Sequence, residues 1–295
     1  GMSYDEVYSG SADESLSSDA DSDNVIDEPA SDSLTNYDPS LYPQDTLMGQ
    51  PYDPIYFSFN FLPNKQLRKL ACTCKKANQI ATKVILNRYL SLSPEKKNNK
   101  LLSAAKNGKF STVNLLLQAK ANMNIQNHRG TTAFILASIH GHRTIVKLLL
   151  EKGANIEIQN ELGETALMKA SRNGHRAIAE LFLEKSANIE IQNLFGDTAL
   201  MMTSRNGHRA IVELLLEKGA NIDTQDEHGE TALMKASKNG NRAIVELLLE
   251  KGANIDTQDQ LRYTALMKAS RDGHREIAQI LRQEIERRQM LQEDK

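Results

Sequence analysis

Four histidines, His142, His175, His208 and His274, fall on a 33-residue spacing, with Asn241 in the remaining slot. Two cysteines, Cys72 and Cys74, lie in the stretch LRKLACTCKKANQ at 67–79. These residue types bind metal or carry electrons when their geometry allows it. A zinc site needs several ligands converging on one point. Histidines placed one per repeat, on helices stacked about 10 Å apart, are too far apart to share an ion. A histidine bonding backbone at a turn between helices is the expected role. C-x-C has no second ligand pair and no nearby histidine, and redox pairs are normally spaced C-x-x-C. Cys72 and Cys74 therefore read as small buried apolar residues. With no serine elbow, phosphate loop or cysteine–histidine nucleophile context, the chain reads as a non-enzyme needing no metal or cofactor.

The elements that carry these residues show first in the charge pattern. The 295 residues have a net charge of −2, but residues 1–64 hold 13 acidic and no basic side chains. Residues 65–100 hold 10 basic and one acidic, and residues 101–295 hold 26 basic and 24 acidic. Such segregation divides the chain into an acidic tail at 1–50, a basic docking segment and a balanced globular remainder. The tail is Ser- and Asp-rich and is expected to be disordered, since it cannot bury enough apolar surface to offset chain entropy. Ser11 and Ser18, each with an acidic residue three positions on, are weak phosphorylation candidates. Gly1 ahead of Met2 reads as a cleavage remnant. No apolar run approaches the length of a membrane span, and two cysteines cannot staple a domain this large. A cytoplasmic, reducing location follows.

From residue 99 onward the architecture is periodic. Gln126, Gln159, Gln192, Gln225 and Gln258 recur every 33 residues, as do Thr132, Thr165, Thr198, Thr231 and Thr264. Each unit contains a G-x-T turn, a short helix, an N-G-H break, a longer helix ending in LLLEKG, and an extended ANIEIQ. In RAIVELLLEKG, apolar residues at Ile211, Val212, Leu214, Leu215 and Leu216 make one broad helical face, and Gly219 follows as a left-handed cap. Thr231 is the expected N-cap of the short helix. A 33-residue unit cannot fold alone, so stacking must supply the core.

The period, the turn chemistry and the T-A-L-M and N-G-H signatures resemble the ankyrin repeat, over residues 99–291. The resemblance implies an all-α solenoid of helix-turn-helix units with β-hairpin-like turns. Four complete repeats span 127–258; a linker and N-terminal capping unit span 94–126; a capping repeat with a long charged helix spans 259–295. Lys97 and Arg262 stand where the turn glycine is expected, and Ser186 replaces a helix-ending glycine. That last change costs roughly 1 kcal/mol if the backbone stays left-handed, so the ladder is expected to be weakest there.

The ankyrin resemblance also implies protein binding through the hairpin tips and the exposed face of the first helix. Residues that vary at those places are Leu162, Phe195, His228 and Tyr263 at the tips, and Lys169, Arg172, Met202, Arg205, Lys235 and Lys238 on the helices. The helix set forms a basic stripe with an apolar centre at Phe195 and Met202. A target with an acidic and apolar surface is expected on this concave face. The acidic tail is a possible internal competitor for the stripe.

The segment 51–93 has its own signature. Leu67, Leu70, Ala71, Cys74, Asn78, Ala81 and Ile85 fall on one helical stripe, with Lys69, Lys76 and Lys83 opposite. Residues 51–90 resemble an F-box, the helical module that docks on the Skp adaptor of cullin-RING ubiquitin ligases. Pro51 and Asp53 take the places of the opening Pro and Glu, Phe59, Phe61 and Leu62 fill the aromatic–leucine segment, and Cys74–Lys75 match its C-K pair. Gln50, Pro54, Thr73 and Ala77 depart from that pattern. The resemblance implies adaptor contacts at Pro51, Asp53, Ile55, Phe59, Leu62, Leu67, Leu70, Cys74 and Lys75. Ser93–Pro94–Glu95 provides an N-cap and first turn for the helix that follows.

Together these features describe a monomeric substrate-recruiting adaptor of an SCF-type ligase, with no nucleic-acid or membrane partner. F-box first and ankyrin second resembles effectors that intracellular bacteria inject into hosts, which would place the protein in host cytosol. The alternative is an ankyrin scaffold or inhibitor that binds its partner without recruiting a ligase.

Overall fold

The computed structural model describes residues 60–71 and 75–293, and every regular element among them is an α-helix. The described chain divides into two compact units, one ending at Ser91 and the other starting at Leu92.

In the first unit, α1 (Asn64–Ala71) packs against α2 (Lys75–Ser91). Arg88 donates to the Asn64 side chain at 2.8 Å and to the Asn60 carbonyl at 2.6 Å. Arg68 donates to the Tyr89 hydroxyl at 3.4 Å. These bonds join the start of α1 to the end of α2, so the pair is antiparallel. The leucine and cysteine pattern expected on one helix is therefore spread over two, with residues 72–74 between them outside the described residues.

The second unit is a stack of six helix pairs. The first helices are α3 (Pro94–Lys106), α5 (Ala133–Ile139), α7 (Ala166–Arg172), α9 (Ala199–Asn206), α11 (Ala232–Lys238) and α13 (Ala265–Arg271). The second helices are α4 (Phe110–Gln118), α6 (Arg143–Glu151), α8 (Arg176–Glu184), α10 (Arg209–Glu217), α12 (Arg242–Glu250) and α14 (Arg275–Glu293). Each first helix packs on the next first helix, and each second helix on the next second helix, so the core is continuous.

The sequence dictates each helix locally. Thr132, Thr165, Thr198, Thr231 and Thr264 cap the short helices, each hydroxyl accepting from the amide three residues on. Ser93 does the same for α3, with Pro94 in the first turn. Lys97 lies inside α3: the first unit has no tip turn, so no glycine is missing there. Ser186 holds φ at 58°, in the left-handed region that Gly153, Gly219 and Gly252 occupy in other units. Lys120 holds φ at 60° at the same place in the first unit, and Arg262 holds φ at 64° at its tip. The ANIEIQ segments form turns and irregular structure, with no strand among the described residues.

The histidines stitch neighbouring units together. His142, His175, His208 and His274 each place Nε2 within 2.9–3.0 Å of a carbonyl 36 residues earlier, at the end of the preceding first helix. Asn241 donates to the carbonyls of Ser204 and Arg205 in the same place. The ring lies so close to the preceding unit's glycine that a Cβ on Gly141 would sit 2.7 Å from His175. Hence the glycine of the break: it makes room for the next unit's ring and supplies the positive φ, 75° at Gly141 and 78° at Gly174 of the N-G-H at 173–175.

The stack ends in α14, whose 19 residues outrun the 9 of the other full second helices. Arg288 reaches back to the Ala253 carbonyl at 3.1 Å and, with Arg287, clasps Glu284. The Arg287 hydrogen bond outweighs burial and, with Arg288, pulls the Glu284 carboxyl down to about 2. No helix among the described residues is long and apolar enough to cross a membrane.

Candidate binding face of the ladder

Two rows of side chains were expected to form the target surface, and the structure treats them differently. The tips form a backbone ladder. Each tip's amide donates to the preceding tip's carbonyl: Glu161 to Arg129 (3.1 Å), Leu194 to Leu162 (2.9 Å), Glu227 to Phe195 (3.1 Å) and Gln260 to His228 (2.9 Å). Within each tip, an Asn or Asp side chain accepts from the amides two and four residues on. Asn160 holds Leu162 and Glu164, Asn193 holds Phe195 and Asp197, and Asp226 holds His228 and Glu230. The Asx turns fix the tips, and the ladder sets their spacing. Side chains from one position of each tip, Arg129, Leu162, Phe195, His228 and Leu261, are thereby brought into a row. Leu162, Phe195 and Tyr263 are half-buried and His228 is exposed. Leu194 is 60% exposed and Leu261 75%, which makes an apolar edge broken by Glu227 and His228.

The first-helix row is not the solvated basic stripe that the sequence suggested. Lys235 is 2% exposed, with its ammonium 2.6 Å from Asp226, 2.9 Å from Asp197 and 3.4 Å from Glu230. Lys268 is equally enclosed, between Glu230 of the preceding repeat and Asp259 of its own, 2.7 Å away. Lys169 bonds Glu164, which is wholly buried and also has Arg172 at 4.0 Å. Met202, in the same slot one unit later, is 2% exposed and belongs to the core. These residues form an internal ion ladder, and a partner cannot reach the Lys235 or Lys268 charge without displacing a carboxylate.

Burial acts against the charges of Lys235, Lys268, Glu230 and Asp259 and is overcome by their neighbours. For Lys235, desolvation is outweighed by the charges of Asp197 and Asp226 and their hydrogen bonds, so its pKa stands above the ordinary lysine value. Lys268 is raised for the same reason, by Asp259 and Glu230 against burial. For Glu230, burial is outweighed by the Lys268 hydrogen bond and the charges of Lys235, Lys268 and Lys238, which hold it below the usual carboxylate range. Asp259 is likewise lowered, by Lys268 and the Tyr263 and Leu261 amides against its burial.

Sequence reasoning missed the carboxylates because it read the lysines along one helix. The signal was there: Lys235 and Lys268 lie 38 residues after Asp197 and Glu230, one period plus five. Charge does remain at the ends of the first helices, where Arg172, Arg205 and Lys238 are half-buried and Arg271 is exposed beside Asp272. Arg271 and Lys268 also lie 5.6 and 6.0 Å from the Tyr263 ring.

A family model described as "Ankyrin repeats (3 copies)" matches residues 101–193 and 185–259. The chain belongs to the ankyrin-repeat family. No curated protein matches it. Among solved structures, the ankyrin chain is similar to a chain of the Bd0816 predatory endopeptidase from Bdellovibrio bacteriovorus in complex with immunity protein Bd3460. The two are 32% identical with a TM-score of 0.58, over 62% of this chain and 97% of that one.

Of the residues expected to contact a Skp adaptor, Pro51, Asp53, Ile55, Phe59 and Cys74 lie outside the described residues. Leu70 lies in α1. Leu67, expected to lie partly against the adaptor, is 0% exposed and holds the first unit together. Leu62 is half-buried and Lys75 exposed. Next to Leu62, Phe61 is 73% exposed. Among the described residues no group of three or more His, Cys, Asp or Glu could hold a metal ion. The ring nitrogens closest to such a role are instead bonded to carbonyls.

Proposed function

We propose that the ankyrin ladder is a protein-binding surface whose contact runs along the hairpin tips, not along the first-helix lysines. The observation that carries this reading is the tip ladder itself: a rigid, hydrogen-bonded row that leaves Leu194 and Leu261 in solvent. Exposed apolar side chains on a fixed backbone lose little freedom when a partner covers them, which is how anchors gain affinity. The cationic row Arg172, Arg205, Lys238 and Arg271 supplies a rim suited to carboxylates, so the target combines an apolar plug with acidic surroundings. The similarity to a chain of a solved endopeptidase–immunity complex supports binding of another protein as the role.

The test is capture of partners by the full chain and by Leu194→Asp/Leu261→Asp. Both sites are exposed, so the melting temperature should hold, within the roughly ±0.5 kcal/mol usual for surface changes. Partner recovery should fall about thirtyfold or more, the loss of a hot spot worth at least 2 kcal/mol. Equal recovery by both proteins would remove the tips from the binding site. Met202 is unsuitable as a control because truncating a buried side chain tests stability instead.

A second, finer reading makes the protein an F-box adaptor, with the first unit docking a Skp adaptor and the ladder presenting a target for ubiquitin transfer, in a host cytosol. The exposed Phe61 beside Leu62, at the F-box aromatic–leucine segment, supports it. The buried Leu67 moves the contact away from the α1 leucine and toward Phe61.

A further inference from the structure

The ion ladder leaves a question of charge. Lysines once available to neutralise the acidic N-terminal segment are occupied inside the repeats, Lys235 and Lys268 by carboxylates of their own and preceding units. The 13 acidic residues of positions 1–64 therefore cannot be neutralised by Lys235 or Lys268. The first unit offers a counter-surface. Between Pro54 and Pro94 the sequence contains no acidic residue, and Lys65, Arg68, Lys69, Lys75, Lys76, Lys83 and Arg88 all lie on α1 or α2. Lys65, Arg68, Lys69, Lys75 and Lys83 are exposed. A shallow depression lined by Asn78, Gln79, Thr82, Lys83 and Leu86 adds apolar surface to the basic face of α2.

We propose that the basic face of α1 and α2 is the docking surface for the chain's own acidic segment, residues 2–50, which competes with any outside partner of this unit. Two observations select this occupant. The charges are complementary and unmixed, with no basic residue in the segment and no acidic one in the surface. The segment is also tethered directly ahead of the surface, so its effective concentration is in the millimolar range and weak ionic contacts suffice to hold it. Its leucines and tyrosines, among them Leu34, Tyr37, Leu41 and Tyr42, are the apolar groups that the α2 depression would take. The inference does not depend on the tip reading, nor on whether the first unit binds a Skp adaptor.

The experiment is carbodiimide coupling of the full chain, which joins carboxylates to neighbouring lysine amines, read by peptide mass spectrometry. Lys83 serves as the reporter. Expected are intramolecular links from the acidic residues of 2–50 to Lys83, with a yield independent of protein concentration. That yield should drop at least fivefold in about 0.5 M salt, where screening acts within a few ångströms. It should drop similarly in Lys65→Glu/Lys69→Glu/Lys75→Glu, whose exposed helix positions accept glutamate. Three results overturn the proposal: links unchanged by both salt and charge reversal, which tethering alone would give; links spread over exposed ladder lysines such as Lys147, Lys152 and Lys218; or links only between molecules. Circular dichroism of the variant guards against unfolding as the cause of a drop.

Discussion

Lys235 shows why a residue's type says little about its use. A lysine on the open face of a short helix is by default a solvated charge, but here three carboxylates from two repeats surround it. Removing one member of such a cluster strands buried charge, which costs more than the cluster contributes when intact. Lys235→Met should therefore destabilise the ladder by about 3–5 kcal/mol, although methionine occupies the equivalent slot at Met202. Adding Asp197→Asn and Asp226→Asn should recover most of that loss. Asn160 and Asn193 already hold the same tip turn that Asp226 holds, so asparagine fits there. Urea denaturation of the three proteins checks both steps. If Lys235→Met melts like the parent, the lysine is a surface charge and the ion ladder is without consequence.

At the scale of the element, the ladder couples helices of neighbouring repeats, so its titration is a property of the stack. Glu230 and Asp259 have folded pKa values below their unfolded ones, about 4.3 and 3.9. Such groups bind fewer protons in the native state, so their stabilisation is complete above those unfolded values and is lost as pH falls through the folded ones. Lys235 and Lys268 are raised above the unfolded lysine value of about 10.4, so their contribution is complete below it and is lost as pH rises past the folded values. Glu284, at about 2, adds a second acid-labile contact, to Arg287 and Arg288 within α14. Thermal melts should show a plateau between about pH 5 and 10, a decline below about pH 4, and a smaller decline above about pH 10.5. A melting temperature that climbs steadily from pH 7 to pH 4 would contradict this.

For the whole molecule, the question is whether the first unit recruits a partner of its own. Mixing the full chain with purified Skp adaptor and running size exclusion answers it. A one-to-one complex lost in Phe61→Glu is the outcome expected of an F-box adaptor. Phe61 is the better probe because it is exposed, whereas a charge at the buried Leu67 would unfold α1 from α2 whatever the unit binds. No complex with the parent chain leaves an ankyrin scaffold that binds through its tips alone. The expected roles of Pro51, Asp53, Ile55, Phe59 and Cys74 stand or fall with the same experiment.

The repeat ladder was legible in the chain of residues alone, because period, caps and helix faces are local. Thr231 bonds an amide three residues away, and a left-handed φ is needed within one turn of Gly219 or Ser186. The turn role of the histidines was also legible, since one ligand per 33 residues cannot build a metal site. The features that needed the folded stack lie between repeats. The Asp197–Lys235 and Glu230–Lys268 pairs span 38 residues, and the burial of Met202 depends on the repeats stacked around it. The split of the 67–85 stripe over α1 and α2 is of the same kind, for Leu67 is enclosed by a helix that returns to it. Local rules fix which helices form, whereas the choice between a solvated and a buried charge depends on neighbours that stacking alone brings together.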